Sequence, residues 1–222
     1  MLHSKPNYSN TLVKFGPEFE PNFEPELERL APFLATGDEE ILSPTDRLTL
    51  LHIKATQMRR LPEADIVFLL TTATSTVFKD AISSVTILTH LDDPELARLV
   101  EVYPKIIPEA QRMVLALFAG IDSEVASRFL FQLLEDTHDD KLAYYLMVCI
   151  SKSDFPVFAI VFFALPTAST RYRLRLRTLL QMKGFSYAAP FLMALPIIPE
   201  REFFEETFGY EELQKVDKGT AR

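Results

Sequence analysis

Four histidines, a single cysteine and a run of arginines are the residues that could do chemistry in this chain. Thr137-His138-Asp139-Asp140 sets an imidazole beside two carboxylates. On a helix, such a His-Asp pair can hold a divalent metal if a second His and a distant Asp complete the shell; His90 and Asp154 are the residues that could be recruited. The same carboxylates have a plainer use, because acids at a helix start favour its positive end. The plainer reading is preferred, so no metal ligand is assigned. His52 falls mid-helix and reads as a flank residue, and Cys149 lies in the apolar run 144–150 and reads as a buried, inert thiol. No Ser, His and Asp carry a nucleophile signature. The six glycines form no phosphate-cradling loop. No catalytic residue and no cofactor are therefore assigned.

Two sets of residues read instead as binding elements. One is basic: Arg59 with Arg60, and Arg171, Arg173, Arg175 and Arg177 with Lys183. The other is aromatic: Phe15, Phe19 and Phe23 stand among Pro17, Pro21 and Pro25, with the tripeptide Phe-Glu-Pro repeated. Prolines at this density forbid a continuous helix. Residues 1–25 are thus expected to form an extended arm that packs its aromatics on the first helices or offers them to another protein. The acidic stretch 18–40 could dock on the arginine cluster of a second copy, giving a homo-oligomer through the arm.

The elements that must carry these residues are helical. Leu27, Leu30, Phe33 and Leu34 share one helical face in 26–35. Ser43-Pro44 starts a helix towards Arg60, with Ser43 as N-cap and Pro44 at the first helical position. Further helices are predicted at 63–72 and 77–91, then 94–103 capped by Asp93 and 108–119 stopped by Gly120. Next come 123–135 capped by Asp122, 140–152, 155–165, and 170–183 stopped by Gly184. Residues 187–195 and an amphipathic acidic helix over 200–213 follow, and 214–222 is expected to fray. Arg171 to Arg177 alternates with period two, as a half-buried strand would. Tyr172, Leu176, Leu179 and Leu180 still share one helical face, and a lone strand would leave its edges unpaired, so a helix is predicted. Residues 157–165 are apolar all round, which predicts neighbours on every side.

The helices pair into hairpins that repeat. Arg47, Lys79, Arg112, Lys141 and Arg173, near the start of successive second helices, stand 32, 33, 29 and 32 residues apart. Two first helices carry an internal proline, Pro32 and Pro190. This pattern, over about 25–195, resembles the HEAT repeat. The chain departs from it where the valine before each basic residue is replaced by Asp46, Phe78, Gln111, Asp140 and Tyr172, and where Asp38 and Asp136 are the only candidates for the usual turn aspartate. The resemblance implies an all-α fold, a right-handed α-solenoid of about five to six HEAT-like hairpins, with an arm at 1–25, the repeat domain at 26–195 and a capping helix with frayed tail at 196–222. It also implies that second helices line a concave face. The basic residues gather on those helices and the acidic ones on the first helices.

The totals narrow the function. The chain has 222 residues and a net charge of −8, 48% hydrophobic and 24% charged, which describes a folded protein and argues mildly against a general polyanion binder. One cysteine forms no internal disulfide, and no secretory h-region or membrane-length span is present; a cytoplasmic location is expected. The leading expectation is a non-enzymatic protein-binding scaffold, adaptor or assembly factor, its partner another protein with an acidic surface. Behind it stand a nucleic-acid binder using the 171–177 patch, and a HEAT-like lyase or metal-dependent hydrolase. Phe15, Phe19, Phe23, Arg59, Arg60, Arg171, Arg173, Arg175 and Arg177 are the partner-binding candidates.

Overall fold

A computed structural model describes residues 29–30, 32–33, 42–58, 60–195 and 197–220, with side chains as far as Val216. The arm at 1–25, most of the first predicted helix and Arg59 lie outside these residues. Two compact units are present, Met1–Ala126 and Ser127–Arg222. No strand occurs among the described residues, and none of their helices is long and apolar enough to cross a membrane.

The first unit contains α1 (Pro44–Met58), α2 (Glu63–Ala73), α3 (Phe78–Leu88), α4 (Asp93–Val102) and α5 (Pro108–Ala119), with a 3-10 turn at Tyr103–Lys105 after α4. α6 (Glu124–Asp136) begins in this unit and ends in the second. The odd-numbered helices α1, α3 and α5 lie side by side, α2 lies beside α4, and α2 and α4 both pack on α3. This is the pairing expected when each hairpin cannot bury its apolar face alone. Leu50, Leu51, Leu69, Ile87, Leu88, Leu99, Leu115 and Phe118 are fully buried between the helices. Each such side chain stabilises the unit by about 1.5–3 kcal/mol relative to exposure.

The second unit holds α7 (Asp140–Lys152), α8 (Val157–Ala164), α9 (Thr170–Lys183), α10 (Phe185–Met193), α11 (Arg201–Phe208) and α12 (Tyr210–Thr220). Its pairing repeats that of the first: α7, α9 and α11 lie side by side, α8 and α10 pack on α9, and α10 and α11 meet α12. The stretch with strand-like alternation is helical, since Tyr172, Leu176, Leu179 and Leu180 are buried along one face of α9.

Caps fix the starts. Ser43 Oγ accepts the Asp46 amide at 3.2 Å, and Asp139 accepts the amides of Lys141 and Leu142 at 2.8 and 3.3 Å. Two predicted caps sit one residue off. Ser123, not Asp122, caps α6 by accepting the Ala126 amide at 3.1 Å. Asp92, not Asp93, is the N-cap of α4, and Asp93 is thereby freed to accept the Ser123 hydroxyl at 2.5 Å. The single helix predicted over 200–213 is two helices, broken at Gly209, whose φ of 93° a side chain would resist. The second of them, Tyr210–Thr220, reaches into the predicted tail.

α8 departs most from expectation. Its eight residues are all apolar, but neighbours cover only one side: Val157, Phe158 and Val161 are buried, while Phe163 is 79% exposed.

Candidate functional site

The basic run on α9 is tied to its own unit. Ser169 starts the helix by accepting the Tyr172 amide at 3.3 Å. Arg175, only 6% exposed, points inward and donates to the carbonyls of Leu134 and Thr137, each at 2.8 Å, with Asp140 at 3.4 Å. Those carbonyls end α6, where backbone acceptors lack helical partners and the helix dipole is negative. Arg175 therefore caps the C-terminus of α6 from two helices away.

Arg173 donates to Leu165 O at 2.9 Å and to Glu200 at 2.7 Å, and lies 5.6 Å from the Phe203 ring centroid. Arg177 pairs with Glu206, and Arg171 meets Nδ1 of His138. Lys183 donates to Ser153 O at 2.6 Å and sits over Tyr187, 5.1 Å from its centroid. Burial pulls the Lys183 amine below its usual range, against the opposing pull of Asp154. Each member of the cluster thus has an acceptor within the unit, and Arg171 is the member left exposed at the surface.

In the first unit Arg60 makes a loose pair with Asp92 at 3.4 Å and is itself highly exposed. Arg59, Phe15, Phe19 and Phe23 lie outside the described residues. Arg47 is structural: it reaches the buried Asp65 at 3.0 Å and covers the Phe68 ring at 4.1 Å. Arg98 grips Glu63 with two bonds of 2.9 Å, and the guanidinium holds that carboxyl below the usual range.

His52 on α1 and His90 just beyond α3 face each other with ring centroids 5.1 Å apart and planes tilted by 32°. Burial, helped by the field of His90, holds His52 down at about 4. Cys149 is buried, which pushes its thiol up. Among the described residues no three His, Cys, Asp or Glu side chains gather to hold a metal.

The surface that sequence reasoning passed over lies on α8 and α10. A ladder of aromatic rings begins at buried Phe204, passes to Phe158 at 5.7 Å, and divides. One branch reaches Phe191 at 5.0 Å and then Tyr187 at 5.7 Å; the other reaches Phe162 at 6.1 Å and Phe163 at 5.7 Å. The Tyr187 hydroxyl oxygen also accepts the Phe158 amide, in the first turn of α8, at 3.1 Å. Both branches surface, at Phe163 and at Phe191, which are 79 and 43% exposed; Met193 and Ile197, further along the chain from Phe191, are also exposed. The signal was present in the sequence, because residues 155–170 and 184–199 contain no charged residue.

Compared with protein-family models, curated proteins and solved structures, the chain finds no match in any of the three.

Proposed function

We propose that the chain is a non-enzymatic protein-binding scaffold or adaptor, built as a HEAT-like right-handed solenoid. Support for the repeat comes from polar links that join residues about one hairpin apart. Arg60–Asp92 spans 32 residues, Glu63–Arg98 35, Asp93–Ser123 30, His138–Arg171 33 and Ser153–Lys183 30. The observation that carries the binding reading is the exposure of Phe163 on α8 and of Phe191 and Met193 on α10, within segments that hold no charged residue. Exposed aromatic and aliphatic groups of this size lower the free energy when they are covered.

A nucleic-acid reading has less support, because the α9 cations already have acceptors and the net charge is −8. The deciding experiment is an affinity capture from the native cell with the wild-type chain and with Phe163→Glu. The expected result is a partner set that the variant loses while an Arg171→Ala variant keeps it. The converse, loss with Arg171→Ala alone together with nucleic-acid binding at about 50 mM salt that fades as salt rises, would favour the phosphate-binding reading.

A further inference from the structure

Two of the four histidines meet inside the first unit. His52 stands midway along α1, and His90 follows α3, where its amide donates to Ile87 O at 3.1 Å. α1 and α3 lie side by side, and the chain neighbours Leu51, Ile53, Thr89 and Leu91 are all buried. Core packing therefore fixes both backbone positions. The ring centroids are 5.1 Å apart and the planes are tilted by 32°. His52 is half-buried and His90 is exposed, so water reaches the pair from the His90 side.

A neutral imidazole carries one bare nitrogen, and imidazole nitrogens are preferred ligands of zinc, copper and nickel ions. In a tetrahedral shell each such nitrogen sits about 2.0–2.1 Å from the metal, with its ring centre about 1.1 Å behind it, so two imidazoles on one ion have centroids roughly 5 Å apart. The His52–His90 separation meets that figure with α1 and α3 where they stand. Only one nitrogen of each ring is needed. The other can keep an N–H bond to a neighbouring acceptor, as metal-bound histidines commonly do. A proton is a poor occupant of the pair, because burial and the field of His90 hold His52 down at about 4.

We propose that His52 and His90 form a two-histidine site for a borderline divalent transition-metal ion of the zinc class, which ties α1 to α3. No third His, Cys, Asp or Glu joins the pair among the described residues. Water therefore completes the shell on the exposed side, and the ion exchanges with solvent rather than being locked in as in a four-ligand structural site. The competing account is a plain contact between two rings, which has the same separation but no response to metal.

Calorimetric titration of the full, tag-free chain with zinc sulfate tests the site, at about pH 7.5, where imidazoles are ordinarily neutral. Zinc should bind with a dissociation constant of about 100 µM or tighter, and magnesium, which takes oxygen ligands, should not compete. His52→Gln and His90→Gln should each weaken zinc binding by at least about 10-fold. His3→Gln and His138→Gln, at the two histidines outside the pair, should leave it unchanged. Zinc should raise the Tm of the wild type and not that of His90→Gln, since binding to the folded state alone stabilises it. His90 is exposed, so His90→Gln carries the test even where His52→Gln alters packing; far-UV circular dichroism checks both variants. Three results overturn the proposal: a wild-type chain that takes up no zinc at about 1 mM, zinc binding that survives both His52→Gln and His90→Gln, or zinc binding that is lost in His138→Gln.

Discussion

Arg175→Ala separates a structural arginine from a ligand-binding one. Its guanidinium is buried, and its two 2.8 Å bonds go to backbone carbonyls at the end of α6. Removing it leaves the Leu134 carbonyl buried without that donor, at about 1–3 kcal/mol for an unsatisfied group. The Thr137 carbonyl is only partly buried, so water can replace part of its bond. Loss of a cation from the negative end of α6 adds up to about 1 kcal/mol. The Asp140 contact adds little, because that carboxylate is 96% exposed. The expected total is about 1–4 kcal/mol. Arg175→Lys should recover about half, because one ammonium cannot present a planar fork to two carbonyls. Arg171→Ala, at the surface of the same helix, should change stability by less than about 0.5 kcal/mol. Urea unfolding gives the three values, and hydrogen exchange of the α6 amides localises the effect to the second unit. An Arg175→Ala variant as stable as Arg171→Ala would refute the capping argument and return Arg175 to the pool of binding candidates.

The His52 ring provides a pH test. Its folded value of about 4 lies below the ordinary 6.5, so the unfolded chain takes up this proton first as pH falls. The His52 contribution is complete above about pH 6.5 and is lost between there and pH 4, by up to about 3 kcal/mol. Unfolding free energies of wild type and His52→Gln across that range should converge on acidification; parallel curves would exclude the ring as the cause. Two glycines that look alike in the sequence should respond oppositely to alanine. Gly184 has φ 86° and open space around it, so Gly184→Ala costs about 1–3 kcal/mol of backbone strain. Gly120 keeps φ −91°, and a Cβ there would meet Leu117 O at 3.4 Å and Ala116 O at 3.8 Å, both ordinary contacts, so Gly120→Ala should be neutral or stabilising by about 0.5 kcal/mol; thermal melting of both variants decides. Small-angle X-ray scattering tests the proposed solenoid, which requires a radius of gyration clearly above the roughly 17 Å of a compact 222-residue domain.

What could be read in the sequence followed from short-range physics. Ser43-Pro44 and Thr170 to Lys183 fix their helices through groups only a few residues away, and both appear as expected. The misplaced caps arose where two oxygens compete locally. Asp122 and Ser123 are adjacent, and only the fold shows that the Ser123 hydroxyl can both accept the Ala126 amide and donate to Asp93, 30 residues earlier. The arginines of α9 failed to declare their roles for the same reason. Alternation along 171–177 is identical whether a guanidinium meets solvent, a carboxylate or the end of another helix. Arg175 is buried because the α6 terminus lies within its reach, and that terminus is 38–41 residues away in sequence. The α8 face is the reverse case. Hydrophobicity around a whole helix states that water is unfavourable on every side, but not which molecule excludes it. Within one chain the expectation is burial by neighbours; Phe163, uncovered beside a charge-free α10, makes covering by another molecule the simplest way to satisfy the same free-energy term.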